Sequence, residues 1–343
     1  MSKAIIFRTD GSHTLGVGHV YRCLALAEAL HRRGCQACFA VTVTPAAIQA
    51  LIRQHGHQVE VLAGGAPELT QLAALSERLG TRLICVDSYA ADAAYFRALQ
   101  AAGWRTVCID DFAGFPIAAG MVINHNAYAA ELRYDVPAGA RLRLGPRYAL
   151  LRRQFRETRL AALPPATPPY VLVLIGGSDP QQWSLRLARS LLAALPAAVH
   201  LVVVAGPATT SLPELQHWSR AHPRLRVLHR PPDLPAVMAG ASLAISGAGV
   251  TTYELACLGV PSLLLIVADN QRQNAAALGR LGIAQVLGWH EDLQAEEIAA
   301  RAAVLLENGS ERQELAARGR RLVDGAGAER VAGEIVHEID SSY

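Results

Sequence analysis

The chain has 343 residues, which at roughly 150 residues per domain leaves room for two domains. Half of it is hydrophobic (51%) and only 18% is charged, so a large core is available and intrinsic disorder is excluded. A formal charge of +3, with basic residues scattered along the chain, argues against nucleic acid or a membrane surface as partner.

Short apolar runs alternate with helical segments from the first residues onward. Strands are predicted at Ala4–Phe7, Ala37–Thr42, Leu83–Val86, Thr106–Ile109 and Met121–Asn124, and then at Tyr170–Ile175, Val199–Val204, Leu225–Leu228, Leu243–Ser246 and Ser262–Ile266. Near-continuous apolar runs of this length fit strands buried on both faces, with the intervening helices as crossovers, which is an α/β protein with parallel sheets. Arg152–Arg159 is charged and helix-competent, and Leu163–Pro169 with its four prolines then breaks regular structure. The boundary therefore falls between a first domain at 1–160 and a second at 168–343. The closing segment, Ala328–Ile339, is helical and long enough to cross back to domain one.

No apolar run reaches the roughly eighteen residues of a membrane helix, and the chain begins on a strand without a signal-peptide pattern. A cytoplasmic protein with six reduced cysteines is expected. Cys35 and Cys38 form a C-x-x-C, but the odd spacing in a strand sends their side chains to opposite faces. No second ligand pair completes a zinc site, so both read as small buried residues.

Three glycine turns follow strands. The first runs from Arg8 through Asp10, Gly16 and Gly18 to His19, and opens a helix with an apolar stripe at Val20, Cys23, Leu24 and Ala27 that stops at Gly34. It lacks the third glycine and the acidic residue of a dinucleotide fingerprint, which argues against NAD; no cofactor is expected. A histidine at a helix start tends to stay neutral and able to accept a proton, although a packing role fits the spacing equally well. The second turn, Gly176-Gly177-Ser178-Asp179, exposes backbone N–H groups, with Asp179 and Pro180 reading as N-cap and first helical residue.

The third turn, Ser246-Gly247-Ala248-Gly249-Val250-Thr251-Thr252-Tyr253-Glu254, is the most specific. Flexible backbone and hydroxyls at a helix start suit a diphosphate, and Glu254, one turn in, can accept both ribose hydroxyls. Polar strand ends add Asp87-Ser88-Tyr89, Asp110-Asp111, Asn124-His125-Asn126 and the amide-rich stretch at Asn270 and Gln271. The paired aspartates lack further ligands at metal spacing, so hydrogen bonding to a sugar is preferred and no metal is expected.

In this order the motifs resemble the UDP-sugar hydrolases of bacterial pseudaminic acid biosynthesis, the PseG family: Arg8-x-Asp10 with Gly16-Val17-Gly18-His19, Asp87-Ser88-Tyr89, Asp110-Asp111, Asn124 to Tyr128, Gly145-x-x-Tyr148-Ala149-Leu150-x-Arg152, Gly176 to Asp179 and Asn270-Gln271. The Ser246–Glu254 loop also resembles the nucleotide site of the glycosyltransferase B-type group. The resemblance implies two Rossmann-like domains facing across a cleft and a metal-independent hydrolase of UDP-2,4-diacetamido-2,4,6-trideoxy-β-L-altropyranose, an activity of nonulosonic acid synthesis and flagellin glycosylation. It implies His19 as general base, with Tyr89 and Asn270 beside it at the reaction centre. The substrate would lie along Asp10, Gly16, Gly18, Asn126, Gly177, Ser178, Gly247, Gly249, Val250, Thr251, Thr252, Glu254 and Gln271. The family motif Asp-His-Tyr-Gly reads Asp87-Ser88-Tyr89-Ala90 here. A monomer is expected, with a UDP-sugar as its small-molecule partner. A glycosyltransferase, a 2-epimerase and a non-catalytic nucleotide-sugar binder are the competing readings.

Overall fold

The computed structural model describes residues 3–11, 18–42, 44–64, 67–177, 179, 181–206 and 209–340. The chain divides into two compact units, one made of residues 1–153 and 325–343 and the other of residues 154–324.

In the first unit β1 (Lys3–Thr9), β2 (Cys35–Val41), β3 (Gln58–Val61), β4 (Leu83–Asp87), β5 (Arg105–Ile109), β6 (Met121–Asn124) and β7 (Arg141–Leu144) form one parallel sheet in the order β3-β2-β1-β4-β5-β6-β7. Alternation along the strands splits the core in two. Ile5, Phe7, Phe39 and Cys85 face the helix Gly18–His31, while Ile6, Ala40, Ile84 and Val86 face Leu72, Leu75 and Phe96. Cys35 and Cys38 fall in these two separate clusters, on opposite faces of β2, as their spacing requires.

In the second unit β8 (Tyr170–Leu174), β9 (His200–Ala205), β10 (Leu225–His229), β11 (Leu243–Gly247), β12 (Ser262–Ile266) and β13 (Gln285–Trp289) form a parallel sheet in the order β10-β9-β8-β11-β12-β13. Val171, Val173, Ile245 and Leu263 pack with Trp183, Leu187 and Leu191 of one helix and Ile298, Ala302 and Leu305 of another. Each sheet reverses its strand order once, between β1 and β4 and between β8 and β11. Those two points are where open parallel sheets leave a crevice at their carboxyl ends.

The units divide the chain after residues 153 and 324, where the sequence reading put its boundary at 160–168 and left the closing helix able to cross back to domain one. The helix Arg153–Ala161 groups with the second unit, where Phe155 is buried and the Arg159 guanidinium donates to the carbonyls of Cys257 (2.9 Å) and Val323 (3.0 Å). The tail from Gly325 groups with the first unit, because the helix Gly327–Asp340 lays Ala328, Val331, Ala332 and Ile335 into the core beside Val20 and Leu24. Gly327 permits this docking, since a Cβ there would lie 2.3 Å from the Ala149 carbonyl. Ile335 is 0% exposed, so Ile335→Ala is expected to destabilise the protein by about 2–5 kcal/mol in urea denaturation. A loss below about 0.5 kcal/mol, the range of ordinary surface substitutions, would mean that the tail is not part of this core.

Candidate active site

The carboxyl end of β1 leads toward the helix Gly18–His31. Gly16 lies outside the described residues, Gly18 is the first residue of the helix, and His19 is the second. His19 is 8% exposed, and its Nδ1 lies 2.6 Å from Oδ1 of Asp87, the last residue of β4. An ionised carboxylate only accepts, so in the tautomer with the proton on Nδ1 the ring donates to Asp87 and Nε2 keeps the lone pair. A buried carboxylate against one ring nitrogen can orient an imidazole so that its other nitrogen is able to accept a proton.

Asp87 is shared with Arg22, one turn further along the same helix. The guanidinium donates through Nε to Oδ2 and through Nη2 to Oδ1, both at 2.7 Å, and Nη2 also lies 3.1 Å from His19 Nδ1. Its other edge grips Asp111, just beyond β5, through Nη1 at 2.9 Å and Nη2 at 3.1 Å. Burial would raise the pKa of Asp87, but the charge of Arg22, with the hydrogen bonds from Arg22 and His19, outweighs it and holds the carboxyl at about 2. Asp111 is held lower still, against the same burial, chiefly by Arg22 and further by the Tyr89 hydroxyl. Neighbouring His125 is pushed down to about 4 by burial and by Arg22, so it is uncharged at neutral pH.

Tyr89 donates its hydroxyl to Asp111 Oδ2 (2.8 Å) and meets the His19 ring edge-on, with centroids 4.5 Å apart. It is nevertheless 47% exposed, and the ring of Phe112, 5.5 Å away, is exposed beside it. Asn126 gives its amide to Asp111 Oδ1 (2.8 Å) and to Asn124 Oδ1 (2.9 Å). The expectation that the paired aspartates would bond to a sugar is therefore corrected. Asp111 is engaged by Arg22, Tyr89 and Asn126, and Asp110 accepts the Phe112 and Ala113 N–H groups and the Tyr134 hydroxyl. Asp10 is likewise taken up inside the protein, by Arg8 (2.5 Å), the Thr42 N–H (2.7 Å) and both threonine hydroxyls of Thr42 and Thr44. It holds the loops after β1 and β2 together rather than presenting an acceptor. Ser88 has a local task too, accepting the Ala90 N–H at 3.2 Å.

Sequence reasoning singled out His19, Tyr89 and Asn126 but missed Arg22 and Phe112. The one local signal for Arg22 is a lone cation within the apolar stretch Val20–Leu30, which shows that it needs a partner without showing which.

In the second unit the carboxyl ends of β8 and β11 are packed backbone to backbone. A Cβ on Gly247 would lie 2.5 Å from the Ile175 carbonyl, and one on Gly206 would lie 2.2 Å from that of Gly176. Gly247 is thus required for strand packing rather than for flexibility, whereas a Cβ on Gly249 would meet only the Gln271 amide at 3.7 Å. Gly177 is exposed, and Ser178 and Pro180 lie outside the described residues. Asp179 accepts the Trp183 and Ser184 N–H groups at 2.8 and 2.7 Å, so it caps a helix that starts at Trp183, later than the sequence reading placed it.

Val250 caps the helix Thr251–Leu258, and Glu254 sits half-buried in its first turn. Thr252 is 1% exposed, and among the described residues its hydroxyl has no hydrogen-bond partner. An orphaned buried hydroxyl at a helix start is costly unless something arrives to pair with it. Gln271 accepts the Val267 N–H at 3.0 Å, and Asn274 joins the Tyr253 hydroxyl to the Ala248 carbonyl, tying the β12 loop to the β11 loop. Asn270 is exposed on the single helical turn Asp269–Gln271. Among the described residues no group of three or more His, Cys, Asp or Glu is arranged to hold a metal ion, and no helix is long and apolar enough to cross a membrane.

Asp87 and Asp111 both titrate below the ordinary 3.8 in the folded protein, so the unfolded chain binds more protons than the folded one below about pH 4. Their contribution to stability is complete above that pH and lost as pH falls toward 2; for Asp87 alone it is on the order of 2 kcal/mol. Urea denaturation at pH 7, 4 and 3 should show this loss, and in Asp111→Asn the slope between pH 4 and 3 should flatten. An unchanged slope would mean that the carboxylates are not engaged as described.

Residues 171–327 match the family model of the glycosyltransferase family 28 C-terminal domain. The chain is 26% identical over 332 residues to the spore coat polysaccharide biosynthesis protein SpsG of Bacillus subtilis, covering 94% of each. It is 23% identical over 285 residues to the UDP-2,4-diacetamido-2,4,6-trideoxy-beta-L-altropyranose hydrolase of Campylobacter jejuni, covering 81% of this chain and 97% of that one. Among solved structures, MurG of Acinetobacter baumannii aligns with a TM-score of 0.69 at 18% identity, over 98% of this chain and 99% of that one. Anabaena HepE in complex with UDP aligns at 0.61 and 18% identity, over 99% and 100%. With two parallel-sheet α/β units and these neighbours, the chain has the glycosyltransferase B-type fold.

Proposed function

We propose that this protein is a UDP-sugar hydrolase that releases UDP from UDP-2,4-diacetamido-2,4,6-trideoxy-β-L-altropyranose, the reaction named for the Campylobacter relative. The observation that carries the reading is the 2.6 Å bond from His19 Nδ1 to the buried Asp87, which leaves Nε2 as a proton acceptor. Water gives its proton to Nε2 while its oxygen bonds to the anomeric carbon. The bond from that carbon to the UDP oxygen breaks, and the electron pair leaves with the diphosphate, so the sugar inverts. In the first unit Tyr89, beside His19, and Asn126, on Asp111, are assigned to the sugar; Gly16, Gly18 and Asn270 are assigned to the substrate on the sequence resemblance alone.

The nucleotide is assigned to the second unit. The diphosphate takes the backbone from Gly247 to Thr251, the orphaned Thr252 hydroxyl and the turn of Gly177 and Ser178; Glu254 takes the ribose, and Gln271 braces the loop. Backbone N–H groups and the helix dipole offset the leaving charge, so turnover needs no metal. Six buried free thiols suit a cytoplasmic protein. A transferase is the second reading, favoured by the family 28 match. It would use the same base on an acceptor hydroxyl in place of water.

His19→Asn keeps size and polarity but removes the base. It is expected to lower kcat by about 10²–10⁴ with UDP affinity unchanged in calorimetry. Turnover in ¹⁸O-water should label the sugar and leave UDP unlabelled. Label in the phosphate, or near-normal kcat in His19→Asn, would end this assignment.

A further inference from the structure

A histidine whose Nδ1 rests on one buried carboxylate is drawn toward the imidazolium form, since an opposite charge within about 4–6 Å favours the charged state by roughly one to three pH units. An imidazolium cannot take a proton from water, so the carboxylate that orients His19 also works against its use as a base. The remaining groups around the ring bear on this conflict.

We propose that Arg22 is a positioning residue that sets the working protonation state of His19, by dividing the charge of Asp87 while placing its own charge against the imidazole. The inference rests on the reading of His19 as a general base. Arg22 occupies both oxygens of Asp87 at 2.7 Å, and the same Nη2 lies 3.1 Å from His19 Nδ1, so the imidazolium formed when Nε2 takes a proton would lie against a cation. Asp111 takes the other edge of the guanidinium at 2.9 and 3.1 Å, and so limits how much positive charge reaches the ring.

The other titratable groups facing the ring leave Arg22 and the two aspartates to decide its charge. On the helix itself Cys23 donates its thiol to Asp87 Oδ2 at 3.4 Å. From β4 comes Cys85, whose thiol burial keeps protonated. Beyond β4, Tyr89 spends its proton on Asp111; beyond β6, His125 is uncharged at neutral pH. Arg22 is fully buried, and against that burial Asp111 and then Asp87 hold it charged. A purely structural ion pair would not need a shared nitrogen against the histidine.

The test is an NMR titration of the His19 imidazole in the unliganded full chain, assigned by the signal lost in His19→Asn. In Arg22→Gln the midpoint should rise by about one pH unit or more, because Asp87 then acts on the ring undivided. In Asp111→Asn, which keeps the shape of the cluster, it should fall. Arg22→Lys keeps the charge and should return the midpoint most of the way to that of the unsubstituted protein. Midpoints that stay within about 0.3 unit in both variants, or that move in the same direction, would overturn the proposal, leaving Arg22 a structural pair. Should Arg22→Gln fail to fold, Asp111→Asn decides alone: a fall supports the proposal and no fall overturns it. The acid limb of kcat/KM should move with the NMR midpoint. Opposite midpoint shifts without any UDP-sugar hydrolysis would uphold the charge division and reject the hydrolase reading; hydrolysis that needs His19, with unmoved midpoints, would do the reverse.

Discussion

Asp87 sits at the end of a central strand, fully buried, and accepts from His19, Arg22 and Cys23 at once. A carboxylate in that position is tolerable only because a guanidinium shares it, and the guanidinium only because Asp111 closes its other edge. The helix Gly18–His31 supplies all three donors to Asp87 from one face, at positions 19, 22 and 23. Its opposite neighbours are the apolar side chains of the first unit's core, joined there by the C-terminal helix. The geometry of the proposed base is therefore set by the packing of the whole unit.

The second unit solves a different problem with backbone. Its strand ends approach so closely that Gly206 and Gly247 admit no side chain, and the Asn274 and Gln271 amides stitch one loop to the next. Rigid backbone at a helix start, with an unsatisfied hydroxyl on Thr252, is a preorganised place for an anion. The division of labour proposed here, charge chemistry in one unit and anion binding in the other, follows from these two kinds of construction.

Much of this was legible in the sequence. Central strands such as β1, β4, β8 and β12 carry continuous apolar runs (AIIF, LICV, YVLVL, LLLI) because both faces are covered, and those runs announce them. The edge strands β3 and β7 alternate polar and apolar residues, reading QVEV and RLRL, and at four residues each they are too short for that alternation to stand out. His19 was marked by its glycines and its place after β1, which are local features. Arg22 was not, because its meaning depends on two aspartates 65 and 89 residues away. The return of the tail to the first unit is non-local in the same sense: an amphipathic helix declares an apolar face, not which core receives it. Asp10 carries a further non-local contact that its motif did not announce, joining the loops after β1 and β2.

The central claim is that a base held by Asp87 directs water, rather than another sugar or lipid, at an anomeric carbon. Incubating the full chain with UDP-2,4-diacetamido-2,4,6-trideoxy-β-L-altropyranose and no acceptor, while following the anomeric proton by NMR, tests it most directly. The account predicts UDP and free sugar in equal amounts, with the inverted anomer appearing first and mutarotating afterwards. Turnover that begins only when an acceptor is supplied, or a first product of retained configuration, would contradict it.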